Sequence, residues 1–152
     1  MAEADKKPVI VVAIDGSAQS EHAFEFYLEH LHQSGNHLLL INSAEPPNVS
    51  SQQAMYMSGE LWEQMLESEK TKVKALEEKY ADKMKAAKVS GTIKAVFHGN
   101  PGQVICDIAQ EHHAGLIVMG TRGLGTVRRT IMGSCSDYVV HHAHCPVCVC
   151  RQ

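Results

Sequence analysis

Five short apolar runs, with a stretch of helical spacing between each and the next, restrict what this chain can become. They are Val9 to Ile14, Leu38 to Ile41, Ile93 to Phe97, Leu116 to Met119 and Pro146 to Cys150. The first is apolar throughout and is bounded by Pro8 and by Asp15-Gly16-Ser17, as a strand buried on both faces is. Between the runs, Ala23, Phe24, Tyr27, Leu28 and Leu31 follow a Ser17 or Ser20 cap at helical spacing and stop near Gly35. Leu66, Val73, Leu76, Tyr80, Met84 and Ala87 make a stripe on a long helix from about Glu60 to Lys88. Asn100 and Pro101 suit the cap and first turn of a helix that buries Val104, Ile105, Ile108 and Ala109. Ser134 to His142 supplies the last helix, and Ala44 to Gly59, with two prolines, reads as a polar loop.

This order predicts an α/β fold, a five-stranded parallel sheet with helices on both faces. The 152 residues fit one domain, residues 1–152, with neither internal repeat nor low-complexity segment. In such sheets ligands lie beyond the carboxyl ends of the strands, where the strand order reverses. The loops after the first, second and fourth strands are therefore the places to search.

Several function classes recede early. A net charge of -3 gives no general attraction to nucleic acid or to an anionic membrane. No apolar run approaches the ~20 residues that span a bilayer, and Met1 to Pro8 lacks the apolar core of a signal peptide. The five cysteines are an odd set crowded toward the C-terminus, unlike the paired framework of a small secreted domain. The expected location is the cytoplasm.

The loop after the fourth run carries the chemistry. Gly120, Gly123, Gly125 and Gly133 let the backbone approach a ligand closely. Arg122, Arg128 and Arg129 bring positive charge, with no acidic residue between Thr121 and Gly133. Gly133-Ser134 then opens a helix, whose free amides and dipole favour an anion. Together these describe a phosphate cradle, distinct from a P-loop because no Gly-Lys-Ser/Thr follows. Asp15, after the first run, can accept hydrogen bonds from ribose hydroxyls, help to hold a metal ion, or simply shape the turn.

The spacing Gly120-x2-Gly123-x9-Gly133-Ser134 resembles the ATP-binding pattern of the universal stress protein family. Val9 to Ser17, Gly99-Asn-Pro-Gly102, Ala114 to Gly120, Ser136 to Val140 and Cys145 to Val149 are similar to the family's other segments. The likeness covers essentially the whole chain. It implies a Rossmann-like fold of the adenine nucleotide alpha hydrolase-like kind, with strand order 3-2-1-4-5. It also implies that Asp15 faces the ribose and that adenine lies near Ala13, Ile41 and Asn42. Met119, Gly120, Arg122 and Gly123 would line ribose and α-phosphate. Gly133, Ser134, Cys135 and Ser136 would hold the outer phosphates of ATP, or of AMP or ADP, with Mg²⁺ or Mn²⁺. Family members commonly form homodimers through the last strand, here Val147 to Cys150.

Other constellations are weaker. His141, His142, His144, Cys145, Cys148 and Cys150 invite a metal or redox reading, but alternate strand residues point to opposite faces and cysteine packs well as a small apolar residue. His112 and His113 read as helix-end residues, and Trp62 as a packing residue on the long helix. No general base is evident. The expected function is an adenine-nucleotide-binding stress-response regulator. A weak ATPase or phosphotransferase using the same loop, or a dimeric interaction module without nucleotide, remain the rivals, with an electron-transfer flavoprotein-like fold a distant one.

Overall fold

A computed structural model describes residues 7–43, 50–97, 99–121 and 133–151. Its centre is β1 (Val9–Ala13), which pairs in parallel with β2 (His37–Ser43) on one side and β4 (Leu116–Gly120) on the other. β3 (Ser90–Val96) extends the sheet beyond β2 and β5 (Val147–Cys150) extends it beyond β4, so the order is β3-β2-β1-β4-β5, all parallel. The strand order expected from the resemblance is the one observed.

Alternate β1 side chains enter two separate cores. Ile10 and Val12 join Leu38, Leu40 and Val118 beneath Phe24 and Tyr27 of α1 (Ala18–Phe26) and its continuation, and beneath Tyr80 and Met84 of α3 (Gly59–Ala87). Val11 joins Leu39, Ile41, Ile117 and Met119 under Ile105, Ile108 and Ala109 of α4 (Pro101–Glu111) and Val139 of α5 (Ser134–His142). Removing a fully buried ring such as Phe24 would cost about 3–5 kcal/mol. Phe24 and Tyr80 meet edge to face at 5.2 Å, tying α1 to α3. Glu21 adds an ion-paired clamp, its carboxylate accepting from Lys79 and Lys83 at 2.9 Å each. Those two lysines hold the Glu21 carboxyl below its usual range.

The structure corrects several expected boundaries. Ala44 to Gly59 is not loop throughout, because Ser51–Tyr56 forms a short helix, α2, with a Ser50–Gln53 capping box. α3 begins at Gly59 behind a Ser58 cap. Helix α1 widens into a π-turn over Tyr27–Leu31, where the Tyr27 hydroxyl meets His32 Nδ1 at 2.8 Å and accepts from Asn36 Nδ2 at 3.1 Å. β2 runs past Ile41 to Ser43, and β3 starts at Ser90, where Ser-Gly-Thr looks like a turn but pairs with β2. Ala87, expected on the buried stripe of α3, is exposed. Trp62, expected to pack, is 37% exposed.

Gly120 is required by packing. A Cβ there would lie 2.5 Å from the carbonyl oxygen of Gln19, in the first turn of α1, and backbone cannot yield as a flexible side chain can. We expect Gly120→Ala to destabilise the fold by about 1–3 kcal/mol, read as a lower denaturant midpoint with unchanged slope. An unchanged midpoint would mean that α1 and β4 are not in this close contact.

Candidate functional site

Strand order reverses between β1 and β4, and a cleft of about 1040 Å³ opens at that end of the sheet. Its walls come from the strand ends, the first turns of α1, α4 and α5, and the middle of α3.

The segment after β1 is tied to itself. Asp15 Oδ1 accepts from the Ser17 amide at 2.8 Å and from the Ser17 hydroxyl. Ser17 Oγ in turn accepts from the Ser20 amide at 3.2 Å, capping α1. Ser20 Oγ accepts from the Asp15 amide at 2.9 Å and donates to the Ala13 carbonyl at 3.4 Å. Asp15 thus shapes the turn, and the same residue lines the cleft wall.

Beside it, the end of β2 contributes buried Ile41 and Asn42, and β4 contributes Met119 and Gly120. Across the reversal point stands α5. The other four α-helices among the described residues open on side-chain caps, namely Ser17, Ser50, Ser58 and Asn100. In α5 the cap position is Gly133, which has no side chain to offer the amides of Ser134, Cys135 and Ser136. Those three residues line the cleft. Ser136 Oγ instead donates back to the Gly133 carbonyl at 3.0 Å. The arrangement places the first backbone N–H groups of α5 and the positive end of its dipole at the cleft, which suits an anion.

Ala13, Asp15, Ile41, Asn42, Met119, Gly120, Gly133, Ser134, Cys135 and Ser136 therefore meet around one cleft. Arg122 and Gly123 lie outside the described residues, as do Gly125, Arg128 and Arg129. Nothing in the residue pattern pointed to the α3 wall, where Lys72 and Lys79 line the cleft. Helical periodicity identifies the buried side of α3 but not which of its turns reaches the strand ends. Gly102 and Tyr138 belong to segments similar to the family's but were not expected at the site. A Cβ on Gly102 would meet the Tyr138 ring at 2.8 Å, so α4 and α5 close tightly at the floor.

The cysteines divide between the two sheet faces. Cys106, Cys135 and Cys145 belong to the α4–α5 core, whereas Cys148 and Cys150 face the opposite one with sulfurs 3.9 Å apart. Cys145 and Cys148 are thus not a facing pair. Burial pushes the Cys106 and Cys145 thiols up, and burial with the neighbouring Cys148 sulfur pushes Cys150 up to about 12. Among the described residues no group of three His, Cys, Asp or Glu side chains is placed to hold a metal ion. No helix among them is long and apolar enough to cross a membrane.

A family model described as the universal stress protein family matches residues 8–151. The chain belongs to the universal stress protein family. A universal stress protein of Thermus aquaticus is 32% identical over 143 residues, covering 93% of this chain and 97% of that protein. Solved structures of the family share the fold. The universal stress protein UspA from Lactobacillus plantarum superimposes with a TM-score of 0.72 at 21% identity, over 96% of this chain and 99% of that one. A universal stress protein family protein from Arabidopsis thaliana, solved with AMP bound, gives 0.65 at 24% identity, over 95% and 92%.

The raised thiols carry a prediction. At pH 8, Cys106 and Cys150 of the folded universal stress protein should react with iodoacetamide only after denaturation, because the thiolate is the nucleophile. Rapid labelling of either in the native protein, read by mass spectrometry, would contradict their placement in the two cores.

Proposed function

We propose that this universal stress protein binds an adenine nucleotide in the cleft at the β1–β4 reversal point, and acts by changing its partners with nucleotide occupancy. The observation that carries this reading is the opening of α5. Gly133 has φ -62° and ψ 156°, a conformation any residue adopts. Among the described residues, a Cβ on it would meet nothing closer than Ser136 Oγ at 3.7 Å. The described residues do not ask for glycine at 133, whereas a phosphate seated on the first amides of α5 does.

In this reading Asp15 accepts from the ribose hydroxyls, and Ala13, Ile41 and Asn42 flank the adenine. Met119 and Gly120 border the sugar, while Arg122 and Gly123 complete the phosphate contacts. The AMP carried by the Arabidopsis relative supports an adenine nucleotide as the ligand class. ATP is the fuller occupant, because the α5 amides extend the anion site beyond one phosphate. The described side chains build no metal cage, so Mg²⁺ or Mn²⁺ would enter on the phosphates, with the Asp15 carboxylate and the Ser134 hydroxyl at the cleft as oxygen ligands.

Binding without efficient turnover is the expected behaviour. None of the side chains identified at the cleft is a histidine, and the Asp15 carboxylate is occupied by its own turn. Cytoplasmic residence and homodimerisation belong to the same reading. β5 is a sheet edge, and its outer N–H and C=O groups can pair with the Val147 to Cys150 strand of a second copy.

Calorimetric titration of nucleotide-stripped protein with ATP, ADP and AMP, with and without Mg²⁺, tests the proposal. We expect saturable binding, negligible phosphate release, and affinity lowered by about tenfold or more in Gly133→Ala, with stability changed by no more than about 1 kcal/mol. Equal affinity in the wild-type and Gly133→Ala proteins, or no binding by folded protein, would refute the site.

A further inference from the structure

Helix α3 is longer than the sheet it covers. Its 29 residues span about 43 Å, against about 23 Å for the seven-residue strands β2 and β3. The apolar stripe runs through positions 62, 66, 73, 76, 80 and 84. Val73, Tyr80 and Met84 are buried and Leu76 packs on the core, but toward the N-terminus the cover runs out. Met65 and Leu66 are partly covered, and Leu61 is 46% and Trp62 37% exposed. Immediately upstream, α2 leaves Met55 80% and Tyr56 89% exposed. Methionine, leucine and aromatic side chains are thus exposed along α2 and the first turns of α3.

Its charge is one-sided. From Ser50 to Glu69 there are four glutamates and no lysine or arginine. Glu67 and Glu69 pair with Lys70 and Lys72 at 3.8 and 3.2 Å. Glu60 and Glu63 make no ion pair among the described residues. Unbranched, polarizable methionine adapts to varied partners, and an amphipathic helix docks by laying its apolar face on such a surface. The carboxylates complement lysine or arginine on that helix and repel nucleic acid and anionic lipid alike. They also set a second copy of this chain against like charge.

We propose that α2 and the overhanging start of α3 form a docking surface for a basic amphipathic helix of another protein. The surface adjoins the cleft, since Lys72 and Val73 of the same helix line it, but docking does not require nucleotide.

Trp62 is the chain's one tryptophan and lies inside the surface, so its emission reports occupancy. Nucleotide-free protein is titrated with a synthetic leucine–lysine amphipathic peptide and with its leucine–glutamate counterpart. We expect a saturable blue shift and reduced acrylamide quenching with the basic peptide only. Replacing both acidic residues, Glu60→Lys with Glu63→Lys, should weaken binding by about tenfold or more. Met55→Ser with Leu61→Ser should also weaken it, both variants keeping the parent's circular dichroism and thermal midpoint. No shift, an equal response to both peptides, or unchanged affinity in folded Glu60→Lys/Glu63→Lys would overturn the proposal. So would Trp62 already shielded in the free protein, or shielding that grows with protein concentration without peptide, which would assign the surface to a second copy.

Discussion

Strand β1 is the element on which the rest of the molecule depends. It is buried on both faces, paired on both edges, and divides its side chains between the two cores, as β2 and β4 do on either side of it. Because β2 and β3 extend to one side and β4 and β5 to the other, the chain's connections diverge at its carboxyl end. The cleft is a consequence of that divergence. Helices approaching from opposite faces cannot close over the reversal point, so backbone amides and loop side chains meet there instead.

Two glycines at the cleft, Gly120 and Gly133, do different work. Gly120 lets the first turn of α1 approach β4 to a distance no side chain would permit. It is a packing residue that also borders the cleft. Gly133 is under no such pressure from the described residues and offers α5 no side-chain cap. One motif thus combines a demand of the fold with a demand of the proposed ligand, and spacing in the sequence cannot distinguish them.

The sheet was legible because buried parallel strands are nearly continuous apolar runs, as in Val9 to Ala13 and Leu116 to Gly120. The edge strand β3 was less so, since Ser90, Gly91 and Thr92 sit at its half-exposed start and resemble a turn. Ten of the twelve expected site residues meet at the cleft because parallel topology alone assigns the carboxyl ends of strands to one side. The α3 wall escaped notice for a geometric reason. Its Lys72 and Lys79 sit on a helix whose register along the sheet is set by its length and by Phe24–Tyr80 packing, neither of which a local pattern encodes. The exposure of Trp62 has the same origin, because an apolar stripe on a helix looks alike whether or not a sheet lies beneath it.

The central claim is that the start of α5, which Gly133 leaves without a side-chain cap, receives the phosphate of an adenine nucleotide. The most direct measurement is amide chemical-shift mapping of isotope-labelled, nucleotide-stripped protein during titration with ATP and with AMP. The largest shifts should fall on the amides of Ser134, Cys135 and Ser136, with Asp15 responding to both nucleotides. Shifts confined elsewhere, or none at saturating nucleotide, would contradict it.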